Sequence, residues 1–251
     1  MVLRAADRGQ AAASGAALSE GEWVLAHGDA SSSPAPLATV AQRAIDDIVA
    51  EFSGQLGAQV VLLGAGFDSR AARMTELSDR PVFEVDHPAT QARKRSIMQA
   101  HSIQTAARFV AWDFERDRLE ELPSALQACG LDPGRPTLTI WEGVIPYLSE
   151  AAVAATLAAI RAFGSGESRI VLNYIERSHI GRLRSHRIAA RLGEPMRFGW
   201  EPAELSPWLR ERGFALMVDR SDSDLARQLF PARWSHRFRA AGGRIALVRP
   251  L

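Results

Sequence analysis

Five short apolar runs, Val60–Leu63, Pro81–Asp86, Arg108–Trp112, Thr137–Trp141 and Arg169–Ile175, recur along the chain with helix-length stretches between them. They show little of the alternation that marks a strand with one wet face, so other elements must cover both faces of each. Connections long enough to hold a helix join strands in parallel, and covering both faces of a parallel sheet takes helices on each side. The expected fold class is therefore α/β, a doubly wound and mostly parallel sheet. Val40, Ala41, Ala44, Ile45, Ile48, Val49 and Phe52 recur at helical spacing ahead of the first run, which predicts a helix leading into the sheet.

Residues 1–36 are rich in Ala, Gly and Ser and end in Ser31-Ser32-Ser33-Pro34-Ala35-Pro36, the pattern of an N-terminal extension or lid. Residues 37–251 read as a single domain. Within it, 178–193 reads as a basic amphipathic helix and Pro202–Arg212 as a second helix, so 178–213 is expected to be a helical insert near the substrate pocket. A strand follows at Phe214–Val218, and Arg244-Ile245-Ala246-Leu247-Val248 reads as a closing edge strand.

With 251 residues, 47% of them hydrophobic, the chain buries a sizeable core. Thirty Lys+Arg against 29 Asp+Glu leave a formal charge of +1, too balanced for the basic field of a general nucleic-acid binder. No apolar run approaches the ~18–20 residues of a membrane helix. Arg4, Asp7 and Arg8 interrupt what would be the apolar stretch of a signal peptide, and the expectation is a cytoplasmic protein with neither nucleic-acid nor membrane partners. Oligomeric state is not legible. Cys129 is the only cysteine, which excludes an intrachain disulfide, and Lys94 is the only lysine.

In doubly wound sheets ligands bind beyond the carboxyl ends of the strands. After the first run comes Gly64-Ala65-Gly66-Phe67-Asp68-Ser69-Arg70, whose glycines permit a tight turn and close backbone approach to a ligand. A dinucleotide site would place a third Gly where Ser69 stands and leave the next helix N-terminus open for pyrophosphate. Asp68 puts negative charge there, which favours a nucleoside ligand without phosphate, S-adenosylmethionine above all. The second run ends in Glu84-Val85-Asp86-His87, twenty residues past Gly66, where an acid meets a ribose diol. Asp86 is the first candidate and Glu84, on the same strand face, its rival. Asp113 and Phe114 after the third run suit an adenine ring, and Glu142 after the fourth suits the sulfonium and amino group of a methionine moiety.

Arg43 in Ala41-Gln42-Arg43-Ala44-Ile45-Asp46-Asp47, the Leu63–Arg70 turn, Phe83–Pro88, Glu142-Gly143-Val144-Ile145-Pro146-Tyr147-Leu148 and Leu192-Gly193-Glu194-Pro195 occur in this order in one family. From about Ala41 to about Val248 the chain resembles the leucine carboxyl methyltransferase-like family, particularly its bacterial branch that includes polyketide-type and other natural-product O-methyltransferases. The resemblance implies a class I, Rossmann-like methyltransferase fold: seven strands with an antiparallel last pair, helices on both faces and a helical substrate lid. It implies that Arg43 pairs with the methionine carboxylate and that Gly64, Ala65, Gly66, Asp86, His87, Asp113, Phe114 and Glu142 hold S-adenosyl-L-methionine. Tyr147 falls where the family has a substrate-facing tyrosine. The chain departs from the family in having no Asp-Pro segment before the Arg43 helix.

Methyl transfer requires alignment of acceptor oxygen, methyl carbon and sulfur. A carboxylate acceptor is ionised at neutral pH and needs no base, whereas a phenol gains from one. His179 and His186, seven residues apart on one helix face, are the candidate bases, with Arg182 beside them. Arg70 or Arg73 would hold an acceptor carboxylate, unless each pairs structurally with Asp68 or Glu76. The expected activity is O-methylation of a small-molecule carboxylate or phenol in natural-product biosynthesis. Methylation of a protein C-terminal carboxylate and a non-catalytic cofactor-binding domain are the alternatives.

Overall fold

Helix α1, Pro36–Ser53, leads the chain into strand β1, Gln59–Leu63, every residue of which is buried. The computed structural model describes residues 36–114, 116–180, 195–229 and 242–251, so the proposed lid and most of the basic helix, with Arg182 and His186, lie outside the described residues. Beyond β1 come α2 (Arg70–Arg73), β2 (Val82–Asp86), α3 (Pro88–Ala100), β3 (Arg108–Ala111), α4 (Leu122–Ala128), β4 (Thr137–Trp141), α5 (Glu150–Phe163) and β5 (Arg169–Ile175). The short helix α6 (Arg177–Ile180), α7 (Pro202–Glu211), β6 (Phe214–Ser221), α8 (Asp222–Leu229) and β7 (Gly243–Pro250) complete the order.

The seven strands form one sheet in the order β3-β2-β1-β4-β5-β7-β6. The first five are parallel, and β7 runs antiparallel to both of its neighbours. Sheet construction reverses direction between β1 and β4, and the carboxyl ends of that pair flank the crevice where doubly wound sheets place ligands. The expectation that Arg244–Val248 closes the sheet at its edge is corrected: β7 lies between β5 and β6, and Ile245, Ala246 and Val248 are buried there. The edge is β6, which exposes Met217 and Val218 and carries a register shift between Leu216 and Val218. Such an irregularity blunts an edge against further strand pairing.

Successive strand residues point to opposite faces, and the two faces build separate cores. Val60, Leu62, Leu138, Ile140 and Val171 meet Val40, Ile45, Val49 and Phe52 of α1 and Leu225 of α8. On the other face Val61, Leu63, Phe83, Trp141 and Leu172 meet Leu126 of α4, Leu157 and Phe163 of α5, and Leu205 and Leu209 of α7.

Strand β2 also carries charge into the interior. Glu84 and Lys94 of α3 are both about 2% exposed, and Lys94 Nζ donates to Glu84 Oε2 and to the Asp68 carbonyl, each at 2.5 Å. Burial pushes the Glu84 carboxyl up to about 7, against the opposing pull of Lys94. The chain's only lysine thus braces the turn after β1 from beneath. Replacing one partner of a buried pair leaves an uncompensated charge, whereas replacing both removes the desolvation cost as well. Lys94→Met is expected to lower stability by about 3–5 kcal/mol, with Lys94→Met/Glu84→Leu recovering most of that loss in chemical denaturation. A double variant as unstable as the single one would show that the pair is not the source of the effect.

Candidate active site

The turn after β1 is set by glycine at two positions. Gly64 has φ +65° and a Cβ there would collide with Val144 Cγ2, so only glycine lets the turn pass beneath the segment after β4. Gly66 has φ +47°, and no side chain stands within 4 Å of where its Cβ would be. Gly64 N–H and Ala65 N–H both donate to the Val85 carbonyl, which seats the turn on β2.

Arg70, first residue of α2, has its side chain 2% exposed. Its Nε donates to Asp46 Oδ1 of α1 at 2.7 Å, and its Nη1 donates to Asp68 Oδ2 at 2.5 Å and to Glu142 Oε2 at 2.7 Å. Burial works against the guanidinium's charge, but Asp68, Glu142 and Asp46 outweigh it and hold the pKa well above its ordinary value. Burial likewise pushes Glu142 up against the pull of Arg70. For Asp68 the balance is reversed: Arg70 and Lys94 overcome burial and hold its carboxyl below the usual range. Arg73 Nη2 reaches both oxygens of Asp46 at 2.7 and 2.8 Å. The expectation that Arg70 or Arg73 clamps an acceptor carboxylate is therefore corrected, because their guanidiniums are committed to carboxylates of the protein itself.

Asp68 Oδ1 also accepts the Arg70 backbone N–H at 2.8 Å. The first amide of α2, which in a dinucleotide site would face phosphate, is taken. Three carboxylates, Asp46, Asp68 and Glu142, surround two guanidiniums, Arg70 and Arg73, and this leaves the cluster one negative charge.

Asp86 ends β2 with one oxygen accepting Gly66 N–H at 2.5 Å and the other accepting His87 N–H at 2.7 Å. Burial raises its pKa, and the two amides oppose the rise. A carboxylate has about four acceptor positions, so two remain for a diol. Glu84, the rival, is spent on Lys94. His87 caps α3 by accepting the Ala89 amide at Nδ1, and its Nε2 lies 3.6 Å from Asp113 Oδ2, joining the ends of β2 and β3. Phe114 packs partly against the core beside Asp113. Tyr147 ends a 3-10 turn, Ile145–Tyr147, after β4. Arg43 stands apart from this group: its side chain is 65% exposed and its Nε lies 3.5 Å from Asp47 Oδ1 on the same helix.

The structure brings Gly64, Ala65, Gly66, Asp86, His87, Asp113 and Glu142 to the carboxyl ends of β1, β2, β3 and β4. His179 lies farther along, on α6 after β5, with Nδ1 3.2 Å from Glu176 Oε2. Sequence reasoning missed Asp46, Lys94 and Glu176 as participants. The partners of Asp46 are 24 and 27 residues away and leave no local signal. Glu176, three residues before His179 at a strand end, was open to detection by its helical spacing.

A solved DUF574-family protein of Streptomyces avermitilis MA-4680 superposes with a TM-score of 0.61 over 86% of each chain at 14% identity. Magnesium protoporphyrin IX methyltransferase of Synechocystis PCC 6803, solved with bound SAH, superposes at 0.55 over 92% of this chain and 93% of that one at 15% identity. Those likenesses identify the fold as the class I methyltransferase sheet. A protein of Streptomyces avermitilis provisionally named an S-adenosyl-L-methionine-dependent methyltransferase is 40% identical over 138 residues, 55% of this chain and 48% of that one. The chain spans about half the length of such curated relatives. A sequence model described as leucine carboxyl methyltransferase matches residues 11–161, which include the α1 helix, the glycine turn, Asp86 and Glu142. By that match, over more than half its length, the chain belongs to the leucine carboxyl methyltransferase family.

Proposed function

We propose that the protein is an S-adenosyl-L-methionine-dependent methyltransferase that places a methyl group on an oxygen of a small molecule, in natural-product biosynthesis of the polyketide type. The observation that carries this reading is the electrostatics of the crevice between β1 and β4. Asp68 blocks the helix amide that a phosphate would need, and Asp46, Asp68 and Glu142 outnumber their arginines. That field suits a ligand with a sulfonium and an ammonium better than a pyrophosphate.

The residues present fit such a ligand. Asp86 keeps two acceptor positions for ribose hydroxyls, and no side chain stands within 4 Å of where a Gly66 Cβ would be. Asp113 and Phe114 would take the adenine, Glu142 the amino group and Arg43 the carboxylate. When bound, the ligand supplies an electrophilic methyl group on sulfur. The chain's own contribution is positioning, which supplies up to roughly 7–11 kcal/mol when reacting atoms are held in line. Asp86 and the glycine turn would fix one end of the reacting pair, and Tyr147, in the 3-10 turn after β4, is the residue that would meet the acceptor.

The family's description favours a second reading, methylation of a protein C-terminal carboxylate. That acceptor needs a cation to hold it, and the two arginines best placed by sequence are both bound to Asp46. No helix among the described residues is long and apolar enough to cross a membrane.

Calorimetry is expected to show binding of S-adenosylmethionine and S-adenosylhomocysteine and none of NAD; NAD binding without a response to either would overturn the reading. Asp86→Ala is expected to weaken cofactor binding by about 1–3 kcal/mol, the range for hydrogen bonds to a charged acceptor. Arg43→Met keeps the aliphatic stem and removes the cation, so affinity for S-adenosylmethionine should fall while adenosine affinity is preserved. Equal loss of both would make Arg43 a support of the helix rather than a reader of the ligand.

A further inference from the structure

At the antiparallel end of the sheet, three charged side chains, a tyrosine and a histidine form a continuous chain of close polar contacts. Tyr174 O–H donates to Asp219 Oδ2 at 2.9 Å, and Arg244 Nε donates to Asp219 Oδ1 at 3.0 Å. Arg244 Nη1 donates to Glu176 Oε1 at 3.0 Å, and Glu176 Oε2 lies 3.2 Å from His179 Nδ1. The chain crosses three adjacent strands, from Asp219 on β6 through Arg244 on β7 to Glu176 just beyond β5. It ends on the imidazole.

The backbone that carries that imidazole is fixed by its neighbours: the His179 backbone amide donates to the Glu176 carbonyl at 2.8 Å, and the Glu176 backbone amide donates to the Gly242 carbonyl at 2.8 Å. A Cβ on Gly242 would lie 2.6 and 2.7 Å from His179 Cβ and Cγ, so the ring fits only because that position is glycine. Glu176 Oε2 lies 3.2 Å and Ser178 Oγ 3.4 Å from Nδ1; a proton on Nδ1 would be held by the carboxylate and would leave Nε2 as the basic nitrogen. The side chain is 31% exposed, and no partner of Nε2 is seen among the described residues. His179 also stands at the carboxyl edge of the sheet, the side on which the crevice opens. Gly143 N–H donates to Asn173 Oδ1 at 2.8 Å, which ties the segment after Glu142 to the strand that carries Glu176.

We propose that His179 is the general base of the reaction, that Glu176 is its positioning residue, and that the acceptor is accordingly a hydroxyl compound, a phenol above all, rather than a carboxylate. This rests on the methyl-transfer reading above. Nε2 takes the hydroxyl proton and the oxygen's freed electron pair forms the bond to the methyl carbon. The carbon–sulfur bond breaks with its pair retained by sulfur, and the imidazolium returns its proton to water. A carboxylate, with an unperturbed pKa near 4, has no proton to give up at neutral pH, whereas a phenol near 10 does. The Glu176–His179 pair would be superfluous for the first and would assist the second. The expected gain from such a base is about 10²–10⁴-fold.

The charged and polar groups around this pair are Arg244 from β7, Asp219 from β6, Asp222 at the start of α8, and Ser178, whose Oγ lies 3.4 Å from His179 Nδ1 and whose amide and hydroxyl are held by Glu201. Burial pushes Asp222 up to about 6 although Arg244 pulls it down, so it titrates near the imidazole range and needs its own control.

The test has two arms. In ¹⁵N-labelled protein without added ligand, His179, assigned by its loss in His179→Gln, is expected as the Nδ1–H tautomer, and Glu176→Gln should shift it toward Nε2–H. An Nε2–H tautomer in the unaltered protein overturns the proposal. With labelled S-adenosylmethionine and paired phenol and benzoate acceptors, transfer is expected on phenols. Its kcat should rise with pH through the imidazole range, fall about a hundredfold or more in His179→Gln and less in Glu176→Gln, and keep its rise in Asp222→Asn. Transfer to benzoates alone, or a phenol rate indifferent to His179→Gln, overturns it as well. If no acceptor of the panel is turned over, the tautomer decides. Absence of S-adenosylmethionine binding in calorimetry is a different failure, that of the methyl-transfer reading.

Discussion

One buried guanidinium joins the three segments from which the crevice is made. Arg70 belongs to the turn after β1, Asp46 to α1 and Glu142 to the end of β4, and without Arg70 these parts would present three carboxylates to one another. Taking a cation out of water costs several kcal/mol, and the cost is offset here because the donors find charged acceptors at hydrogen-bond distance. Arginine is required rather than lysine: its planar fork reaches in several fixed directions at once, which a single ammonium on a flexible stem does not. Together with the apolar face of α1 and the Arg73–Asp46 pair, this side chain fixes α1 against the sheet.

The turn between β1 and α2 is anchored twice more. Asp68 gives its carboxylate to Arg70 and its carbonyl to Lys94, so side chain and backbone are held from opposite directions. Asp86 grips the same turn through Gly66 N–H. A loop held at three points keeps the positive-φ glycines in place. The carboxylate that fixes the turn also occupies the first amide of α2.

Much of the fold was legible because burial on both faces leaves a direct mark on composition. Gln59–Leu63, Val82–Asp86, Thr137–Trp141 and Arg169–Ile175 lie within a residue of the apolar runs read from sequence. What failed was neighbourhood. Ile245–Val248 has the look of a strand, but nothing in its residues tells that β7 lies between β5 and β6, because an antiparallel insertion and an edge share the same local pattern. Strand β6 runs on to Ser221, past the expected end at Val218, since Asp219, Arg220 and Ser221 are polar and carry no apolar signal. At the site, acids at strand ends were readable from topology. The choice between functional and structural arginines was not, because Arg70 and Arg73 are defined by Asp46, a partner with no periodic relation to either.

The two ends of the sheet divide the labour in charge. Around β1 and β4, three acids, Asp46, Asp68 and Glu142, surround two arginines. Around β5, β7 and β6, Arg244 holds two carboxylates, Asp219 and Glu176, and passes the second to His179. That arrangement exists only because β7 enters between β5 and β6: Arg244 lies opposite Tyr174 on one side and Ser221 on the other, within reach of both neighbours. Were β7 the outer strand, its arginine would face water on one side and reach only one of the two carboxylates. The antiparallel insertion is thus more than a way to finish the sheet. It carries a part-buried cation to the strand beyond whose end Glu176 stands, and so helps to set where the imidazole stands.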